Sequence, residues 1–200
     1  MTRLRRSFFE RDAVQVAREL LGKVFVAGPC SGRIVETEAY RPDDPASHSH
    51  RGETKRNSAM FGPAGRLYVY FTYGMHFCAN VVTGQSGDGS AVLIRAVSPI
   101  DGASLMRERR GAARSDHDLT NGPAKLCQAF GLTLEDNGVD LLTSRELSII
   151  DDGVAPPSAP GVSTRVGISL AQERMWRFFI DGDPYVSRAA PPSGRRTSAP

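Results

Sequence analysis

Two glutamates two residues apart, Glu36 and Glu38, stand in the run RIVETEAY, which Tyr40 closes. In an extended chain successive side chains point to opposite faces. Ile34, Glu36, Glu38 and Tyr40 then share one face, with Val35, Thr37 and Ala39 on the other. Two carboxylates and a phenol on one face are acid–base equipment. Repulsion and partial burial raise one carboxyl, while a nearby cation lowers its neighbour. Arg95 is the cation at hand, alone in the apolar run AVLIRAV, and a buried charge in mid-strand needs a partner. A carboxylate kept ionised by an arginine can act on water as a general base. Glycosidic-bond hydrolysis suits such a set, because its oxocarbenium-like transition state wants a negative charge nearby. An ordinary Glu–Arg pair among core tyrosines accounts for the same residues, and on these residues alone both readings stay open.

Other chemistries have less to stand on. His48 and His50 form only an HxH, with no HExxH and no Cys/His spacing to complete a metal shell. There is no GxSxG elbow for a nucleophile, and no GxxxxGK[ST] or GxGxxG loop for phosphate. Neither a metal nor another cofactor is expected.

The elements that must position these groups can be read in outline. Asp12 is a good N-cap for a helix to Leu21, with Gln15 three residues on as in a capping box and Gly22 to end it. Lys23–Ala27 and Arg33–Tyr40 read as strands around a turn at Gly28–Gly32. Residues 41–63 form a long polar loop, a length that is often functional, whose far end Met60 and Phe61 can pin to the core. Arg66–Thr72 and His76–Thr83 read as two strands of a hairpin with Tyr73, Gly74 and Met75 at its tip. In the first strand Tyr68 and Tyr70 oppose Leu67, Val69 and Phe71; in the second, Cys78 and Asn80 oppose Phe77, Ala79 and Val81. Large apolar groups at a tip gain nothing unless they enter something. After a turn at 84–90, Ala91–Val97 is a further strand. Helices are expected over Asp101–Arg110 and from Pro123, at N1, through AKLCQAF. Thr164–Ser169 and Trp176–Ile180 read as closing strands, and 188–200 as a disordered basic tail after a domain spanning 1–187.

At 200 residues the chain is long enough for one domain with a real core. The first twenty residues alternate charge and apolarity, which argues against a signal peptide. No run approaches the roughly 18 apolar residues of a membrane span, so no membrane partner is expected. Three well-separated cysteines, Cys30, Cys78 and Cys127, make neither a disulfide framework nor a zinc ribbon and fit a reducing, cytoplasmic setting. The net charge of +3 is mild, but arginines cluster at 3–6, 107–114 and 195–196, a pattern that suits phosphate contacts or a solvated face.

RIVETEAY, the ASHS segment of the loop, RNSAMFGPAGRLYVYFTYGMHFCANVV, AVLIRA, NGPAKLCQAFG and RVGIS follow one another along nearly the whole chain. Together they resemble the alkyladenine (methylpurine) DNA glycosylase family. The resemblance implies a mixed α/β fold, a single compact domain around a curved antiparallel β-sheet with surrounding helices and a protruding, DNA-inserting β-hairpin. It implies a monofunctional, metal-free enzyme without lyase activity. Such an enzyme acts as a monomer on double-stranded DNA and excises alkylated or deaminated purines such as 3-methyladenine, 7-methylguanine, hypoxanthine and ethenoadenine.

By the same resemblance, Glu38 matches the general base that activates water against C1′. Arg95 helps hold that water, as does the backbone carbonyl matching Val166. Tyr40 matches the tyrosine on one face of the flipped base, with His48 and Tyr70 on the other. Asn80 matches the asparagine whose bulk disfavours the guanine 2-amino group. Tyr73 matches the side chain that enters the minor groove, with Met75 beside it on the DNA side, and Arg56 and Lys125 match positions near the DNA backbone. Glu36 is expected to be supporting. The alternatives are a non-catalytic basic module that stacks unpaired bases on tyrosines, and a hydrolase of nucleosides or glycans.

Overall fold

The alternation of RIVETEAY does make a strand, and it is the strand around which the sheet is assembled. The computed structural model describes residues 1–72 and 74–188. Tyr73 and, from residue 189 on, the expected basic tail lie outside the described residues. In chain order, β1 (Thr2–Arg3), α1 (Arg6–Phe9), α2 (Ala13–Leu20), β2 (Val24–Ala27) and β3 (Cys30–Tyr40) come first. After the long loop come β4 (Leu67–Thr72), β5 (His76–Thr83), β6 (Ser90–Asp101), α3 (Ala103–Arg109) and α4 (Pro123–Phe130). The chain closes with β7 (Leu147–Asp151), β8 (Gly161–Ser163) and β9 (Arg177–Phe179). This is the mixed α/β domain around a curved antiparallel sheet that the sequence led one to expect.

Strand order is β1-β7-β2-β3-β6-β5-β4, with β9 added to β3 and β8 to β9. β3 keeps β6 along one edge but changes neighbour on the other, pairing β2 over Cys30–Arg33 and β9 over Glu36–Glu38. The change falls at a double irregularity. The β3–β6 register passes from Ile34↔Val97 to Glu36↔Ala96 and then to Thr37↔Ile94, leaving first Val35 and then Arg95 without a partner. A bulge of this kind bends a strand and re-aims a side chain. It also shifts the side-chain phase, so Ile34 joins Ala39 in the main core instead of sharing a face with Glu36, a correction to strict alternation.

α2 explains why the other face of β3 is buried. The Asp12 carboxylate accepts from the N–H groups of Val14 (2.9 Å) and Gln15 (3.4 Å). Gln15 donates to Glu19 (3.2 Å) rather than returning to the cap, so only half of the expected capping box forms. Val16, Ala17 and Leu20 pack into the core, and Thr37 Oγ1 donates to the Ala17 carbonyl at 2.8 Å, pinning α2 to β3. Gly22, at φ +85°, lets the chain turn out of the helix.

The β4–β5 hairpin has the expected two faces. Leu67, Val69, Ala79 and Val81 enter the main core, while Tyr68 and Val82 join Met60 and Ala91 in a smaller cluster with Phe61 and Tyr70 against it. Met60 and Phe61 thus do pin the far end of the long loop. Several boundaries differ from the reading of the sequence, among them that of β3, which begins at Cys30, inside the turn expected at Gly28–Gly32. Asp101 ends β6, so the helix after it runs only over Ala103–Arg109. Thr164–Ser169 is not a strand: β8 lies just before it, and Gly167 at φ +79° breaks an extended run. Among the described residues no helix is long and apolar enough to cross a membrane, and all three cysteines are free and buried.

Candidate active site

β3 delivers Glu36 and Glu38 to the same side of the sheet, both at 0% exposure, and the irregularity on β6 turns Arg95 onto both of them. Arg95 Nε donates to Glu36 Oε1 at 2.9 Å, and its Nη1 lies 3.2 Å from Glu38 Oε1. Burial alone would lower the Arg95 pKa; the charges of Glu38 and Glu36 outweigh it and raise it, so the guanidinium stays charged.

Glu38 has two further donors. The Val166 N–H reaches Oε1 at 2.7 Å and the Tyr40 hydroxyl reaches Oε2 at 2.8 Å. Burial, then the Glu38 carboxylate, push the Tyr40 phenol well above its ordinary value, so it remains the donor. Glu36 is enclosed differently. Besides Arg95 it accepts from Arg177 Nε (2.6 Å), Ser187 Oγ (2.8 Å) and the Ser187 N–H (2.8 Å). Burial works to raise its pKa, but Arg95 and Arg177, with the Arg177 and Ser187 hydrogen bonds, hold Glu36 below its ordinary range.

Tyr40, Arg95 and Val166 form part of the wall of a cavity of about 470 Å³, which His48, Tyr70 and Asn80 also line. That size is ordinary for a site that takes a small planar group. All six cavity positions named from the sequence are therefore brought together, and Glu38 lies immediately behind three of them. Tyr70 meets the His48 ring edge-on at 4.5 Å between centroids, and His48 Nδ1 is 2.9 Å from the Tyr68 hydroxyl. Burial raises the pKa of Tyr68, to about 12, and that of Tyr70 as well, so both rings are neutral. Burial, and then Arg56, lower that of His48, leaving a neutral imidazole at neutral pH. Asn80 is buried with Nδ2 donating to the Tyr68 carbonyl at 3.1 Å, so its placement is fixed by β4.

The loop that supplies His48 is ordered by Asn57. Its Nδ2 donates to the His48 carbonyl (2.8 Å) and the Gly52 carbonyl (3.0 Å), while its Oδ1 accepts from the Thr54 N–H (2.6 Å). His50 turns to the Pro42 carbonyl (3.2 Å), apart from the ring of His48. The candidate DNA contacts lie outside the cavity. Met75, 69% exposed, stands beside Gly74 (φ +68°) at the hairpin tip, and Arg56 donates to the Phe71 carbonyl at 2.8 Å near the same tip. Tyr73 falls outside the described residues. Lys125 is held within the chain, donating to Asp118 and, at 2.8 Å, to Asn121. The middle arginine cluster is similarly engaged: Arg107 with Asp116 (2.5 Å), Arg109 with the Ala129 carbonyl (3.1 Å) and Arg110 with Gln128 (2.6 Å).

The sequence reading passed over four buried residues that hold the site in place. Arg177 and Ser187 enclose Glu36, and a fork-like pair of Arg165 with Asp44 ties the long loop to the segment that carries Val166. Arg177 gave the same signal as Arg95, a lone charge in an apolar run (MWRFFI), and was open to the same inference. Ser187 and Asp44 gave none.

A family model described as Methylpurine-DNA glycosylase (MPG) matches residues 7–184. A relative from Burkholderia cenocepacia (strain HI2424) is 49% identical over 189 residues, covering 93% of this chain and 91% of the relative. One from Agrobacterium fabrum (strain C58 / ATCC 33970) is 49% identical over 191 residues, 94% of each chain. One from Carboxydothermus hydrogenoformans (strain ATCC BAA-161 / DSM 6008 / Z-2901) is 44% identical over 189 residues, 92% of this chain and 98% of the relative. All three carry the name "Putative 3-methyladenine DNA glycosylase".

Proposed function

The chain belongs to the methylpurine-DNA glycosylase family, and from that premise we propose that it hydrolyses the N-glycosidic bond of damaged purines in duplex DNA with a water activated by Glu38. A base inside a duplex is out of reach, so the nucleotide must be extruded, at a cost of a few kcal/mol. The observation that carries the reading is the carboxylate of Glu38. It is buried, held by N–H and O–H donors from Arg95, Val166 and Tyr40, and set directly behind an aromatic cavity.

The division of labour follows from these contacts. A carboxylate offers about four lone-pair positions; Glu38 accepts two hydrogen bonds, from Val166 and Tyr40, and forms an ion pair with Arg95, which leaves room for a water. That water would attack C1′ as the bond to the purine breaks, its proton passing to Glu38. Arg95 sets a positive charge beside the carboxylate, and with the Val166 backbone it fixes where the water can stand. Tyr40 stacks on one face of the base, with Tyr70 and His48 on the other, and Asn80 limits what fits at the edge. Purines alkylated at N3 or N7 are cationic and already good leaving groups; hypoxanthine is neutral and asks more of the protein. Tyr73 and Met75 at the tip would occupy the gap in the stack, and Arg56 and Lys125 would meet the backbone.

The test is release of free base from duplexes carrying 3-methyladenine-type damage, hypoxanthine or ethenoadenine. The wild-type protein should release base, and Glu38→Gln should bind the same DNA yet release base far more slowly, by about 10²–10⁴-fold. Normal turnover by Glu38→Gln would overturn the assignment of the base. No release by the wild type from any of these duplexes would leave the readings of a non-catalytic stacking module and of a hydrolase of nucleosides or glycans.

A further inference from the structure

Arg165 is a charge with no solvent: its side chain and that of Asp44 are both 0% exposed. The Arg165 fork grips Asp44 through both terminal nitrogens, one of them at 3.0 Å, and also donates to the Ala39 carbonyl at 3.0 Å. Its guanidinium carbon lies 4.7 Å from the centroid of the Tyr40 ring and 5.3 Å from that of Trp176. Tyr40 lines the cavity and Arg165 does not. The cation therefore covers the outer face of the ring whose inner face looks into the site. Nothing in the chemistry assigned to Glu38 requires a cation there, and a buried ion pair is weak evidence for stability, since well-packed apolar groups often serve as well.

A cation over a ring is attracted by the negative face of its π-system. A guanidinium on one face draws density toward itself and leaves the opposite face a poorer host for a second cation. Purines methylated at N3 or N7 are cations, whereas hypoxanthine is neutral. We infer that Arg165 sets specificity: its charge behind Tyr40 restrains the stacking of positively charged purines and so lets neutral damaged purines compete for the same cavity. The inference rests on the proposed role of Tyr40 as a stacking wall.

The experiment compares kcat/KM for release of 7-methylguanine, a cationic base, and hypoxanthine, a neutral one, from otherwise identical duplexes. The variant is Arg165→Gln with Asp44→Asn, two amides that can still hydrogen-bond to each other but carry no charge. The cation-to-neutral ratio should rise roughly two- to thirty-fold over the wild type, the span of cation–π contributions from an exposed to a desolvated ring. Arg165→Lys keeps the charge and should keep the ratio near that of the wild type. If the amide pair does not melt cooperatively, the same ratio is read in Arg165→Met with Asp44→Leu. A purely architectural role would lower both reactions together, so an unchanged or smaller ratio in a folded, charge-free variant overturns the inference. A wild type that releases neither of these bases, nor 3-methyladenine or ethenoadenine, removes the proposed function itself, whereas an unmoved ratio around an active wild type removes only the role of Arg165.

Discussion

Glu36 and Glu38 are two residues apart on β3, equally buried, and both in contact with Arg95. Their surroundings differ in where the donors come from. Glu36 accepts four hydrogen bonds, from Arg95, Arg177 and twice from Ser187, and of these three residues only Arg95 lines the cavity. Glu38 is contacted by three donors, and all three residues, Tyr40, Arg95 and Val166, line the cavity. Neither burial nor strand position separates the two carboxylates. What separates them is that one is enclosed by the fold and the other is held by groups that a ligand can reach. The enclosed one orients Arg95 from behind, and on the proposed mechanism the open one has room left for a water.

Exchanging the two carboxylates is the sharpest way to break this comparison. Glu38→Gln should lower base release by about 10²–10⁴-fold, the usual weight of a general base, with a melting temperature close to that of the wild type. Glu36→Ala should do the reverse. It leaves Arg177 without its buried counter-ion and Arg95 with Glu38 alone, a loss on the order of 3–5 kcal/mol of stability by denaturant titration. At a temperature where that variant is folded, it should retain base release that Glu38→Gln lacks. A folded Glu36→Ala as inactive as Glu38→Gln would erase the distinction.

A smaller effect tests how Glu36 is held. Its pKa is lowered on folding, from an ordinary 4.5, so the unfolded chain takes up a proton first as the medium turns acid. The stabilisation is therefore complete above that ordinary value and is lost as pH falls below it toward the lowered one. Unfolding followed from pH 7 to pH 3 should show a steeper decline for the wild type than for Glu36→Gln, which has nothing to titrate there. Ser187→Ala removes one donor to the same carboxylate and should cost about 1.5–3 kcal/mol, as for a hydrogen bond to a charged group. If Ser187→Ala leaves stability unchanged, the end of the described chain is not part of what encloses Glu36.

Much of the cavity was legible in the sequence because its parts obey local rules. Alternation put Glu36 with Glu38, and Tyr68 with Tyr70. A lone arginine in an apolar strand had to find an acid, and the acids at hand were these two. The enclosing shell was not legible, because its contacts join residues 151 positions apart (Ser187 to Glu36), 141 apart (Arg177 to Glu36) and 121 apart (Arg165 to Asp44). The two irregularities at Val35 and Arg95 were equally hidden, since a bulge depends on register with a partner strand. Thr164–Ser169 shows the converse error. Its composition fits a strand, yet Val166 gives its N–H to Glu38, Arg165 is drawn to Asp44, and Gly167 takes a positive φ, so tertiary partners override a local preference.

The smallest expected effect lies on the open side, at His48. The residue is exposed at the mouth of the cavity, yet its ring is pressed against Tyr70 and tied to the Tyr68 hydroxyl, and burial of the ring, then Arg56, lower its pKa below 6.5. Above that value the ring is neutral both folded and unfolded, and it contributes no pH dependence to stability. As pH falls below it, the unfolded chain takes up the proton first, so stability should decline slightly between pH 7 and 5 in the wild type and not in His48→Gln. Function should respond in the same direction and selectively. A protonated His48 would repel a cationic purine and leave a neutral one little affected, so the ratio of 7-methylguanine to hypoxanthine release should fall as the medium is acidified. In His48→Gln the ratio should stay flat over the same range. A ratio that falls just as much without His48 would show that the open side does not distinguish bases by charge at this ring.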